Sequence, residues 1–334
     1  MKKNEISLNN KVLNKVFLYS PFHTQFIEND RLLLLRFANV TSICDSGISA
    51  FLKLLYNPII SDTSIAWFAS TYSAVIVFIS RVFHKTSIIV VGGADVYANH
   101  QLNYGLLTVK WKKSLIRYAL KKADYVLPTS YFLADQTLNL LARSRKNLFV
   151  LYPGLDSEHW KPNKKKNPYV LTVAHCTNEN RFYIKGLDIL FEAARSLTKV
   201  SFIVIGLDSQ FINKQNIEIP FNIEVIKNIP NHKLLKYYQR AAVYCQPSRI
   251  ESLSVTVGEA MMCGCIPVVA KVGGMPEVVE DSGYIVPPED SDALSSALNK
   301  ALIDSTSNNR PRETAIKIFS IKKRETVLKN LLSQ

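Results

Sequence analysis

Cysteine is scarce in this chain and forms no pattern. The five residues, Cys44, Cys176, Cys245, Cys263 and Cys265, are odd in number and lack framework spacing. That points to reduced thiols and a cytoplasmic address, not a disulfide scaffold. Cys263 and Cys265 have no second Cys or His pair to complete a metal or redox site, and read as small buried residues beside Gly264. The opening Met1-Lys2-Lys3-Asn4-Glu5 leads into polar residues, without the apolar run of a secretory signal. No internal repeat and no low-complexity tract occurs, which argues against solenoids and propellers. Thr63 to Ser80 is an uncharged run that reaches the length of a spanning helix, about 18 residues. Its Ser64, Ser70, Thr71, Ser73 and Ser80, with Ile65-Ala66-Trp67-Phe68, fit a buried strand followed by a helix instead.

Acidic residues are also outnumbered, 27 against 41 basic ones, for a net charge of +14 shared by both halves of the chain. An anionic partner is implied. No nucleic-acid motif or aromatic-basic platform is present, so nucleic acid is not expected; an anionic membrane surface or an anionic lipid-linked substrate fits the charge. With 334 residues and 47% hydrophobic content, the chain can build two cores.

Short apolar runs alternate with helical patterns throughout, the signature of parallel sheets with crossover helices. Strands are expected at Val16–Tyr19, Ile65–Phe68, Ser87–Val91, Tyr125–Leu127 and Leu148–Leu151. In the second half they are expected at Tyr169–Val173, Phe202–Ile205, Ile223–Ile226, Val243–Cys245, Pro267–Ala270 and Tyr284–Val286. The fold class is α/β, with two doubly wound Rossmann-like domains, 1–160 and 161–311, and a helix over Arg312–Leu332 in the closing segment 312–334. Lys161 to Pro168, basic and bracketed by prolines, suits a solvated linker. Ligands of such sheets bind beyond the carboxyl ends of the strands, so two facing edges make a cleft.

Several residues carry chemistry by type and position. A helix is predicted from about Thr256 to Cys263, stopped by Gly264, with Ser254 as its N-cap. Lys185 precedes Gly186 and a helix whose apolar face is Leu187, Leu190, Phe191 and Ala194; a cation at a helix start opposes the dipole. Asp290-Ser291-Asp292 precedes the helical pattern Ala293–Leu302 and reads as a cap, implying no metal. Lys110, Lys113, Arg117 and Lys121, spaced three, four and four apart, share one helix face, which is either a solvated stripe or a contact for anionic headgroups.

The order of pieces in Pro247-Ser248-Arg249-Ile250-Glu251, Gly258-Glu259-Ala260-Met261, Gly264, Pro267-Val268-Val269, Gly273-Gly274-Met275-Pro276-Glu277 and Gly283 to Pro288 resembles the donor half of retaining glycosyltransferase family 4. The resemblance implies a GT-B fold, two facing Rossmann-like domains, with the donor on the second domain, the acceptor on the first, and the last helix crossing back. It implies that Lys185 and Arg181 bind the donor diphosphate, although Ala174-His175 stand where the family has Gly-Arg. Glu259 would accept hydrogen bonds from the ribose hydroxyls and Glu251 would contact the donor sugar. Ser254, Val255 and Thr256 would present the helix start to the diphosphate. On the acceptor side, Gly92-Gly93-Ala94-Asp95 looks like the acceptor turn, with Asp95 pointing into the cleft. His23 lies in the loop Ser20–Thr24, where the family has a Gly-Gly pair.

The implied reaction is metal-independent transfer of a sugar from a UDP- or GDP-sugar to a hydroxyl, with no other cofactor. Retention is ascribed in the family to a same-face substitution in which the leaving diphosphate helps deprotonate the acceptor. The acceptor would be a glycan or lipid-linked glycan in surface polysaccharide assembly, at the inner face of the membrane. Alternatives are a catalytically silent GT-B subunit that binds a sugar nucleotide or a partner protein, and a GT-B epimerase or phosphorylase.

Overall fold

The computed structural model describes residues 14–333 except 103, 143, 164–165 and 305–309. The opening five residues and two of the linker lysines therefore lie outside the described residues. In the first half, β1 (Lys15–Ser20), α1 (Gln25–Leu34), β2 (Asn39–Cys44), α2 (Ile48–Ile60), β3 (Thr63–Trp67) and α3 (Thr71–Val82) alternate. They continue into β4 (Thr86–Val91), α4 (Lys110–Lys122), β5 (Tyr125–Pro128) and α5 (Tyr131–Leu141). The five strands form a parallel sheet in the order β2-β1-β3-β4-β5.

The second half begins with β6 (Asn167–Cys176), α6 (Glu179–Ile184), α7 (Leu187–Ser196), β7 (Ser201–Leu207), α8 (Ser209–Lys214) and β8 (Ile223–Ile226). It continues with α9 (Asn231–Arg240), β9 (Ala241–Gln246), α10 (Val255–Met262), β10 (Ile266–Ala270), α11 (Met275–Val279), β11 (Tyr284–Val286) and α12 (Ser291–Asp304). Its parallel sheet has the order β11-β10-β9-β6-β7-β8. Strands such as β3, β9 and β10 are buried along their whole length. That is why they read as continuous apolar runs without alternation: helices cover both faces of a parallel sheet.

The run Thr63–Ser80 divides into β3 and most of α3, and no helix among the described residues is long and apolar enough to cross a membrane. Leu148–Leu151 is not a strand. It touches the sheet through one bridge, Val126 with Leu148, and through the Leu151 N–H on the Pro128 carbonyl. β2 is absent from the expected strands because it is an edge strand, with only Val40 and Ile43 half-buried among exposed polar neighbours.

The expected helix Arg312–Leu332 is two helices, α13 (Arg310–Ile318) and α14 (Ile321–Leu332). Phe319 and Ser320 break it: the Phe319 carbonyl accepts from the Leu155 N–H, and the Ser320 hydroxyl caps α14 by accepting from the Lys323 N–H. Phe319 is wholly buried with the second sheet's core, whereas Leu328, Leu331 and Leu332 of α14 pack with Leu33, Leu34 and Trp67 beside the first sheet. α14 thus fastens the end of the chain to the first domain.

Candidate active site

Each sheet has a point where its strand order reverses, and ligands lie beyond the carboxyl ends of the strands there. In the second sheet this falls between β6 and β9, in the first between β1 and β3. The chain after β6 runs through α6 to Lys185 and then Gly186, whose φ is +65°. A Cβ on Gly186 would also meet the Pro247 carbonyl oxygen at 2.0 Å. Glycine therefore lets this turn press against the loop after β9. The consequence is an ion pair: Lys185 Nζ lies 2.9 Å from Glu251 Oε2, with both side chains mostly buried.

Gln246, the last residue of β9, donates from Nε2 to the same Glu251 oxygen at 2.6 Å. Its Oε1 accepts from the Ser254 hydroxyl at 2.7 Å. Ser254 in turn caps α10 by accepting from the Val257 N–H, and Thr256 Oγ1 accepts from the Tyr244 hydroxyl at 2.9 Å. The Ser254 and Thr256 side chains are thus engaged with the interior of the domain. What the start of α10 offers a ligand is the backbone N–H groups of Val255 and Thr256, at the positive end of the helix. Sequence reasoning missed Gln246, although a polar side chain closing a fully buried strand just before Pro247-Ser248 is a readable signal.

Sequence reasoning missed Arg249 as well. It forms a paired contact with Asp188 at 2.7 Å and donates to the Tyr183 carbonyl at 2.8 Å. The hydrogen bonds to Asp188 foremost, and then one to Glu289, push the guanidinium still higher above its ordinary value. The arm braces the loop bearing Glu251 against the start of α7. From the other side, Gly273 has φ +51°, and a Cβ there would lie 1.6 Å from the Glu251 carbonyl oxygen. Gly274 N–H donates to the Ser252 carbonyl at 3.1 Å. The glycine pair is therefore a turn that also supports the backbone of Glu251.

Glu259 has different surroundings. It is 2% exposed, accepting from Asn231 Nδ2 at 3.3 Å and from the Tyr238 hydroxyl at 3.2 Å. Burial pushes its carboxyl up to about 7 against the pull of these two donors. Asn231 also lines a cavity of about 560 Å³ shared with Gln25, Asn29, His159 and His232, between the two domains. A second cavity, of about 350 Å³, opens at the carboxyl ends of β6, β7 and β8 among His175, Gly206, Asp208, Lys227 and Asn228.

The first domain closes over Glu251. Ser130 Oγ donates to the Ser252 carbonyl at 3.1 Å, and a Cβ on Gly93 would meet Ser252 Oγ at 2.4 Å. Glu277 of α11 accepts from the N–H groups of Tyr131 and Phe132, the start of α5, and from the Tyr152 hydroxyl at 2.6 Å. Between these contacts, Tyr97, Phe132 and Gln136 face Glu251 and Ser252 across a cavity of about 260 Å³.

One expected residue is placed elsewhere. Asp95 does not point into the cleft: it is fully buried and accepts from the N–H groups of Ala69, Gly92 and Gly93. Three backbone donors fasten it as the brace of the Gly92–Asp95 turn, while burial pushes its carboxyl up. His23 is exposed in a loop held by Ser20 Oγ, which donates to the Phe22 carbonyl at 2.6 Å. Arg181 is exposed on α6, within electrostatic reach of Tyr104, which also feels Glu251. Lys110, Lys113, Arg117 and Lys121 line the exposed side of α4.

Two parallel α/β domains meeting across a cleft in this way are the GT-B architecture of nucleotide-sugar-dependent glycosyltransferases. The sucrose-phosphate synthase of Thermosynechococcus elongatus superimposes with a TM-score of 0.75 at 15% identity, over 96% of this chain and 98% of its own. Anabaena Alr3699/HepE in complex with UDP does so with a TM-score of 0.73 at 15% identity, over 96% and 100%. At such identities the likeness is one of fold.

Residues 156–318, most of the second domain, match the family of glycosyl transferases group 1. Among curated proteins, a component of the phosphatidylinositol N-acetylglucosaminyltransferase of Arabidopsis thaliana is 22% identical over 218 residues, 62% of this chain and 48% of the relative. The chain spans about half the length of the curated relatives it matches.

Proposed function

We propose that this chain transfers a sugar from a nucleotide-sugar donor to a hydroxyl acceptor, retaining anomeric configuration. The observation that carries the reading is the Lys185–Glu251 pair at the reversal point of the second sheet, held by Gln246 beside the start of α10. A donor diphosphate docking there would draw Lys185 away from Glu251 and gain the Val255 and Thr256 N–H groups. Fixed positive charge of this kind stabilises the charge that develops on the leaving diphosphate. Glu251, released from the lysine, would accept hydrogen bonds from donor-sugar hydroxyls. The nucleoside would lie between this pair and Asn231–Glu259, with Glu259 accepting from the ribose.

The acceptor would enter from the first domain, past the Gly92–Asp95 turn. Its class in this proposal is a glycan or lipid-linked glycan. The Arabidopsis relative, named for transfer of N-acetylglucosamine to phosphatidylinositol, supports a lipid-borne acceptor. UDP bound in HepE supports a UDP-sugar as donor over a GDP-sugar.

A silent sugar-nucleotide-binding protein is the second reading, favoured by one observation. The loop after β1 has no glycine, and the Ser20 hydroxyl ties it to Phe22, which packs on Phe68 at 4.8 Å between ring centres. Thermal unfolding against UDP, GDP and ADP, followed by product analysis, separates the two. A nucleotide at ~100 times its dissociation constant adds about 2.7 kcal/mol. Stabilisation by one nucleotide, with a product of retained anomeric configuration, supports transfer; stabilisation without turnover supports the silent reading. No stabilisation of folded protein by any of the three would sink both.

A further inference from the structure

From Ser46 to Ala123 the chain has nine lysines and arginines and only two acidic residues, Asp62 and Asp95. Neither acid gives the surface free negative charge: Asp95 is buried in its turn, and Asp62 accepts from the Lys15 N–H and lies 3.7 Å from Lys85. This stretch builds α2, α3 and α4, which lie side by side on one face of the first sheet. A surface helix ordinarily buries its apolar stripe and exposes polar residues. α2 does not. Of its thirteen residues only Ala50, Leu54 and Pro58 are buried, and its single charge is Lys53.

What α2 exposes is apolar: Ile48 is 83% exposed, Leu52 62% and Tyr56 61%. Phe78 and Val82 of α3 and Trp111 of α4 are exposed beside it. An apolar groove of about 470 Å³, where Ile48, Phe51, Val75 and Leu115 meet, joins the three helices into one patch. Lys110, Lys112, Lys113, Arg117, Lys121 and Lys122 lie along α4 at its border. Apolar patches of this extent mark interaction sites.

We infer that this face docks on an anionic lipid surface, with the ridge of α2 entering the headgroup–acyl boundary and the cations of α4 lying on the headgroups. A second copy of the chain is disfavoured, because an isologous contact would set two predominantly basic faces against each other. The exposed side chains of α2 and the open groove beside them make an uneven apolar surface. That suits a fluid phase that moulds around side chains better than a rigid acidic protein. Apolar insertion and electrostatic attraction add in such interfacial helices. The inference is independent of the glycosyl-transfer reading, since docking needs no sugar nucleotide.

Flotation of the full chain with phosphatidylcholine vesicles, with and without phosphatidylglycerol, tests it. Trp67 is 1% exposed and Trp160 4%, so a change in tryptophan emission on docking reports Trp111. Expected are flotation with the anionic vesicles only, at low salt, and a blue shift of Trp111. Replacing Lys112, Lys113 and Arg117 by Glu together should weaken binding by on the order of a hundredfold or more. Ile48→Asp with Leu52→Asp, both at exposed sites, should abolish the shift and leave the unfolding temperature nearly unchanged. Absence of flotation with anionic vesicles overturns the inference. So does flotation indifferent to Ile48→Asp/Leu52→Asp, and so does a dimer that those substitutions dissociate, which would give the face to a second copy.

Discussion

Lys185 Nζ and Glu251 Oε2 lie 2.9 Å apart although 66 residues separate them in the chain. Each neutralises the other, and the Gln246 amide gives the carboxylate a second donor. A charge pair poised this way can exchange partners: an anion takes the lysine, and the carboxylate turns to hydroxyl donors. Both charges are thus held ready without leaving either one buried alone, which would be costly.

Lys185→Ala should therefore remove both nucleotide stabilisation and turnover, with kcat falling by roughly 10²- to 10³-fold, the usual effect of deleting one donor from such a site. Glu251→Gln should lower turnover comparably and yet keep the thermal shift with nucleotide, because the lysine remains. Steady-state kinetics and thermal unfolding on both variants give the comparison. Unchanged activity in Lys185→Ala would remove the lysine from the mechanism.

Gly273→Ala should act on Glu251 without touching its side chain. The new Cβ would meet the Glu251 carbonyl at 1.6 Å, in a backbone conformation of φ +51°. Gly47→Ala is the control, since its φ is +93° but nothing lies within 4 Å. Strain alone costs on the order of 1–3 kcal/mol, so Gly47→Ala should lose stability on that scale in urea unfolding, and Gly273→Ala, with the clash added, should lose more. Only Gly273→Ala should also lose most of its activity. Equal activities would mean that the turn does not position the glutamate.

The two-sheet architecture was legible because parallel strands covered on both faces leave unmistakable apolar runs, as at Ala241–Gln246 and Ile266–Ala270. β2 escaped because an edge strand with exposed neighbours needs no such run. Glycines stand in the second half where the backbone has positive φ, a local demand, as at Gly186 and Gly273. The atoms those turns press against, the Pro247 and Glu251 carbonyls, are contacts made only in the fold. Asp95 misled for a related reason. An acid after Gly92-Gly93 reads the same whether its carboxylate faces a cleft or gathers three backbone N–H groups. Glu277 bonds Tyr131, 146 residues away, a separation no local pattern reports.

Asp30 of α1 and Arg324 of α14 form a buried pair 294 residues apart, with Arg324 also donating to the Leu151 and Tyr152 carbonyls. Trp67 Nε1 donates to the same carboxylate at 3.0 Å. Removing one partner leaves a buried charge unpaired, so Arg324→Met should cost about 3–5 kcal/mol in urea unfolding. Arg324→Met combined with Asp30→Asn should recover part of that loss. A double variant as unstable as the sum of the singles would show that the two do not act as a pair.

Glu259 links stability to pH with a definite sign. Burial raises its carboxyl in the folded protein to about 7, against about 4.3 for a free glutamate. Between those values the unfolded chain has lost the proton that the folded chain keeps, so stability falls as pH rises through this window and levels off above 7. Relative to Glu259→Gln, which carries no titrating group, the parent should lose roughly 3 kcal/mol between pH 4 and 8. Urea unfolding of both proteins at several pH values measures this difference. A ribose donating hydrogen bonds to Glu259 favours its charged form. Nucleotide should therefore bind more tightly above pH 7 than at pH 6, with proton release on binding at pH 6, and the pH dependence should vanish in Glu259→Gln. Calorimetry in buffers of different ionisation enthalpy reads that proton directly. Affinity that ignores pH in the parent would place the ribose away from this carboxylate.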